Sequence, residues 1–194
     1  MNGPAMVDQA SLDKVEEKDR AGILVLGLGN TLLCDDGIGI YLGQAVCDLL
    51  RGLGRQVDFL EAALAGLQLL DHIAGYRHLV VIDAVRTDNG RPGSLYYLSE
   101  ESLQSTVRLT SVHDINLATA LQLGRNLGMS MPERIDIYAV EAEDLWTFQE
   151  TCTATLTMAI PSLAAQIAQA INGNMVTIQE PGVSTEYSVR NVNF

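Results

Sequence analysis

Two short apolar runs, Ile23–Leu26 (ILVL) and Leu79–Ile82 (LVVI), constrain the fold more than any other feature of this chain. A continuous apolar run of this length, closed by a turn residue or a charge, reads as a strand buried on both faces. The first run ends in glycine and the second at Asp83. Helical and extended patterns alternate around them. Ile40, Leu42, Val46, Leu49 and Leu50 have helical spacing over residues 37–50, and residues 67–74, 114–127 and 155–171 predict further helices. Residues 57–60, 94–98 and 135–140 predict strands, with Arg91-Pro92-Gly93 as the turn into the second of these. Such alternation predicts a three-layer α/β/α sandwich around a twisted, mostly parallel central sheet. One domain of this kind is expected over residues 22–172, after a flexible polar leader (1–21) and before a polar C-terminal tail (173–194). The tail reads equally as a loose extension or as an arm for a partner.

Charge removes several classes of function. The 194 residues carry 24 acidic against 12 basic side chains, a net charge of -12. Nucleic-acid affinity rests largely on Lys and Arg, so such a chain is poorly suited to phosphate backbones, and equally to anionic membranes. Cys34, Cys47 and Cys152 are odd in number and widely spaced, which argues against a disulfide framework or a zinc module and for a reducing compartment. The first 22 residues contain acids and no apolar core of a signal peptide. The uncharged stretch 152–171 is dotted with Thr and Gln and interrupted by Pro161, and so reads as a buried amphipathic helix rather than a membrane span. A cytoplasmic location is expected.

The segment with most chemistry is Gly27–Gly39, GLGNTLLCDDGIG, where a strand hands over to a helix. In open α/β sheets the carboxyl ends of strands are the usual ligand site. A dinucleotide fingerprint fails here: its third glycine position is Leu32, and Asp35 and Asp36 would repel a pyrophosphate. No nucleotide cofactor is expected. The acidic pair has two readings. One Asp suffices to cap the following helix, and a second would leave a carboxylate to face the cleft.

Beginning at this strand, G-x-G-N-x-L-x-x-D-D-G-x-G resembles the opening motif of the hydrogenase maturation endopeptidase family, in which the second acidic residue, here Asp36, binds metal. The resemblance runs from about Ile23 to Ile171. Residues 65–71 (AGLQLLD) resemble a second metal segment and place Asp71 as a ligand; residues 79–84 (LVVIDA) resemble the central strand; residues 91–98 (RPGSLYYL) resemble the strand entry that follows. Residues 110–113 (TSVH) resemble a third metal segment and place His113 as a ligand. The resemblance implies a peptidase that removes the C-terminal extension of a [NiFe] hydrogenase large-subunit precursor after nickel insertion. The nickel carried by that substrate would be the recognition signal, read by Asp36, Asp71 and His113. Other hydrogenase maturation factors are further candidate partners.

The chemistry of these residue types agrees. Two carboxylates and an imidazole suit nickel, zinc, cobalt or manganese, and three ligands leave positions open for water or a partner's group. Each residue has an ordinary alternative: Asp71 as an exposed helical acid, His113 as a surface histidine. His72 and His78 read as structural or solvated. Asp83, at the end of a buried strand, either supports the site or hydrogen-bonds a loop. The sequence has neither H-E-x-x-H nor G-x-S-x-G, and carboxylates beside Cys34 would suppress its thiolate. Whether metal, water, or Asp36 with Asp71 as a catalytic pair breaks the bond stays open. A nickel-dependent chaperone that binds the precursor without cutting it, or a metal-dependent hydrolase of another substrate, are the alternative functions.

Overall fold

The computed structural model describes residues 20–63, 69–99, 112–173, 177–179 and 186–188, with side chains over 22–63, 69–98 and 117–173. Strand β1 (Arg20–Leu28) leads through a 3-10 turn (Cys34–Gly37) into helix α1 (Ile38–Gly52) and then β2 (Val57–Ala62). A one-turn helix α2 (Leu70–Ile73) precedes β3 (Tyr76–Val85) and β4 (Leu95–Ser99). Helix α3 (Val112–Asn126), β5 (Arg134–Glu141), helix α4 (Ala154–Ile171) and the short β6 (Thr177–Gln179) and β7 (Glu186–Ser188) complete the order. The strands form one sheet in the order β2-β1-β3-β5-β4-β6-β7. The pairs β1–β2, β1–β3 and β3–β5 are parallel, and β4 lies antiparallel to β5.

The expected three-layer architecture is the one observed. Alternate residues of each central strand enter two separate cores. Val25, Val80, Ile82, Tyr138 and Val140 meet α1 and α4 through Ile38, Leu42, Val46, Leu163 and Ile167. Leu24, Leu26, Leu79, Val81 and Ile137 meet Ile73 of α2 and Leu117 and Leu121 of α3. Strand β3, central and buried from Leu79 to Val85, has no face in water, which is why its sequence is an unbroken apolar run. The edge strand β2 instead exposes Asp58 and Glu61, charges that discourage pairing with another chain.

Three details differ from expectation. The first strand begins at Arg20, inside the segment expected as leader. The C-terminal segment supplies β6, which pairs with β4 at Tyr96–Gln179, and β7, so part of the expected tail extends the sheet. The helix at 67–74 is described only over Leu70–Ile73. The long apolar helix α4, long and apolar enough to cross a membrane by length and composition, buries one stripe from Leu156 to Ile171 against the core. It is the amphipathic core helix its Thr and Gln residues predict.

At the amino end of the sheet a buried carboxylate collects partners. Asp136 pairs with His78 Nε2 at 2.8 Å and with Arg134 at 2.7 Å, and Tyr97 donates its hydroxyl to it at 2.9 Å. Burial works to raise this carboxyl's pKa. The hydrogen bond and charge of His78, together with Arg134, outweigh it and hold the pKa below the usual carboxylate value. Because the folded value is depressed, this stabilisation is present above the unfolded value, about 3.9, and is lost as pH falls through the folded one. Asp136→Ala should lower unfolding free energy at neutral pH by about 2–3 kcal/mol. In urea titrations the difference from wild type should shrink below about pH 4; a difference independent of pH would refute the account.

Candidate active site

Close backbone approach builds the site. A Cβ on Gly39 would overlap the carbonyl oxygen of Leu28, and would lie 2.5 Å from that of Ile82, so glycine alone lets α1 start directly on the ends of β1 and β3. Gly29, at φ +137°, turns the chain out of β1 beneath the Asp36 carbonyl, where a side chain would collide. The turn that follows is closed by backbone bonds from Leu33 N–H to Asn30 C=O (3.0 Å) and from Asp36 N–H to Leu33 C=O (2.8 Å).

The two adjacent aspartates have opposite fates. Neither caps α1: Gly37 occupies the N-cap position and receives no side-chain bond. Asp35 is fully buried. Its carboxylate accepts the N–H of Glu143 and Asp144 (both 2.9 Å), the N–H of Thr153 (2.7 Å) and the Thr153 hydroxyl (3.2 Å). It ties the 142–153 loop to the end of β1. Asp36 is half-buried and accepts the Asn30 N–H at 2.8 Å. The sequence held no sign of Asp35's burial, because its partners lie more than a hundred residues away.

Asp83 joins Asp36. It follows Ile82, which pairs with Gly27, and so stands level with the last residue of β1, while the 3-10 turn lies against β3. It is buried, on the face of the sheet that α2 and α3 cover, and accepts the N–H of Ala84 at 2.8 Å. His113 is the second residue of α3. That helix ends shortly before β5 begins, so it runs against the parallel strands and its first turn lies toward their carboxyl ends. The side chain of His113 is outside the described residues.

Asp71 is not brought to this group. It is exposed on α2, which hands over to the amino end of β3 within a few residues. A Cβ on Gly124, in the last turn of α3, would lie 3.0 Å from Leu70 Cδ2. At about 1.5 Å per residue, that contact is about 16 Å along the helix from His113. Asp71 therefore stands toward the opposite end of α3 from His113. His72 is exposed beside Asp71, and His78 belongs to the Asp136 cluster. Among the described residues no three His, Cys, Asp or Glu side chains converge as a metal site.

Glu141, at the end of β5 beside Val85, went unnoticed in the sequence. Its buried carboxylate accepts the N–H (2.6 Å) and hydroxyl (3.0 Å) of Thr87, and a side chain at Gly90 would collide with it. It walls a cavity of about 680 Å³ that also touches Arg86, Pro92, Glu143 and Trp146. The cysteines are poor nucleophiles. Burial raises the Cys34 thiol, and the charges of Asp35 and Asp144 raise it further. Burial, then Asp35 and Cys34, pushes Cys152 up to about 12. Both remain protonated at neutral pH, against a thiolate mechanism.

Comparison with known proteins agrees with this architecture. A family model described as hydrogenase maturation protease matches residues 47–170. The chain is 30% identical over 162 residues to the hydrogenase 2 maturation protease of Escherichia coli (strain K12), spanning 83% of this chain and 93% of that one. It is 27% identical to the hydrogenase expression/formation protein HupD of Rhizobium leguminosarum bv. viciae, over 72% of this chain and 69% of that one. Among solved structures, the hydrogenase maturating endopeptidase HybD from E. coli superposes with a TM-score of 0.63 at 28% identity, covering 78% of this chain and 92% of that one. The fold and these likenesses define an enzyme of the peptidase class. The chain belongs to the hydrogenase maturation protease family.

Exchange of the two aspartates should separate their roles. Asp35→Asn turns an amide NH₂ toward backbone donors and should destabilise the protein by about 2 kcal/mol or more, whereas Asp36→Asn keeps an acceptor for Asn30 and should cost less than about 1 kcal/mol. Urea unfolding measures both, and equal losses would overturn the assignment.

Proposed function

We propose that this protein removes the C-terminal extension from a hydrogenase large-subunit precursor once nickel has been inserted. The nickel belongs to the substrate. We further propose that Asp36, Asp83 and His113, with Asp83 in place of Asp71, read that nickel and set the scissile bond beside it. The observation that carries this reading is the shared level of Asp36 and Asp83 at the carboxyl ends of β1 and β3, the end toward which α3 presents its first turn. Two carboxylates and an imidazole suit nickel and leave coordination positions for groups of the substrate. Family membership supports a hydrogenase protein as the substrate.

The chain's own residues do the positioning. Gly29 and Gly39 set the turn onto the strand ends, the Asn30 N–H orients one oxygen of Asp36, and the Ala84 N–H orients one oxygen of Asp83. Holding both carboxylates in hydrogen bonds lowers the reorganisation needed when the metal arrives. The bound nickel would supply a Lewis acid that polarises the carbonyl or activates a water. The reaction is proposed to run in the cytoplasm, among other maturation factors.

The test is cleavage of precursor prepared with and without nickel. Wild type should cut only the loaded form. Asp36→Asn, Asp83→Asn and His113→Ala should each reduce kcat/KM by about 100-fold or more, while Asp71→Asn and His72→Ala stay within about twofold of wild type. Activity in Asp83→Asn with loss in Asp71→Asn would overturn the site, and binding of loaded precursor without any cleavage would make the protein a chaperone.

A further inference from the structure

The strand-end site leaves a neighbouring surface unexplained. Trp146 and Phe148 are 77% and 76% exposed, and Leu32 is 43% exposed. These residues belong to one surface: Leu33 bridges to Phe148 and Gln149, and the Gln149 N–H donates to Leu32 C=O at 3.0 Å. The patch therefore joins the glycine-rich turn that carries Asp36 to the 142–153 loop.

That loop is held in place. Asp35 grips both its ends, Asp35 N–H donates to Asp144 C=O at 2.9 Å, and the Asp144 carboxylate accepts the N–H of Trp146 and Thr147, both at 2.9 Å. A network of this kind fixes the backbone that carries two large aromatic side chains into water, where they forgo the free energy of burial. Ordered apolar patches beside a site mark docking surfaces, and Trp is the residue type most enriched at their energetic centres. Trp146 also edges the cavity walled by Glu141 and Arg86, so the patch continues inward rather than ending as a flat surface.

Charge indicates the occupant. Glu143, Asp144 and Glu150 flank the aromatics in a stretch without Lys or Arg from Ile135 to Gly173, and outnumber Arg86, which lines the adjoining cavity. A second copy of this chain, with its net charge of -12, would meet that rim with like charge. We propose that Leu32, Trp146 and Phe148 form a shelf on which an extended segment of the substrate protein docks, its apolar side chains flanked by Lys or Arg. This inference rests on the peptidase reading for the identity of the partner, and the shelf would align the segment that leads to the scissile bond.

The experiment uses the full-length protein and nickel-loaded precursor. Trp146 is the sole tryptophan, so protein labelled with fluorotryptophan gives one fluorine NMR resonance, which should shift on addition of unlabelled precursor. In cleavage assays Trp146→Ala with Phe148→Ala should raise KM by about tenfold or more, with kcat within about twofold. Glu143→Lys with Glu150→Lys, which alters only exposed side chains, should raise KM and abolish its increase with salt. Wild-type KM in both double variants, with no movement of the fluorine resonance, would overturn the shelf while leaving the peptidase reading standing. If no precursor is cut, the peptidase reading fails, and the fluorine titration still decides whether the precursor docks. A resonance that shifts when the protein alone is concentrated would assign the patch to self-association and overturn the proposal.

Discussion

The backbone contact at Gly39 is the constraint on which the rest of the molecule depends. With only hydrogen on its α-carbon, α1 starts against the carbonyls of Leu28 and Ile82, and the two parallel strands finish under one helix end. A larger residue would lift the helix and draw the 3-10 turn off β3. Asp36 and Asp83 would then no longer stand at one level. The same economy of side chains recurs at Gly27, where a Cβ would lie 2.6 Å from the Gly39 carbonyl oxygen, and at Gly43, where it would press on the Phe59 ring. These glycines, whose spacing fails as a dinucleotide fingerprint, serve helix-on-sheet packing.

The second device is the buried carboxylate of Asp35. An ionised group in a core is costly unless donors surround it, and here four are directed at two oxygens. The arrangement converts an otherwise long connection between β5 and α4 into a fixed part of the site. The neighbouring Cys34, at φ 21°, is buried, and burial together with the charge of Asp35 raises its thiol.

Layers and central strands were legible because burial on both faces leaves an unmistakable signature, as ILVL and LVVI show. Helices α1, α3 and α4 were legible from their spacing. The placement of Asp36 beyond the end of β1 could be read because the motif follows an apolar run that ends in glycine. The height of Asp71 could not be read for a physical reason: an acid in a helical segment after β2 matches a pattern, but only the packing of Leu70 on the last turn of α3 reveals its height relative to the sheet. Asp83 was noticed without a role because a strand residue's level depends on register with its neighbour. Asp35 and Glu141 depend on donors brought by distant chain, and a linear reading carries no trace of those.

The grip of Asp35 on Thr153 also orders events in time. The aspartate is synthesised well before its donors, which lie in the final third of the sequence, so a nascent domain lacking the later loop has a carboxylate that must stay hydrated. Burial of Asp35 is thereby tied to the emergence of the 142–153 loop.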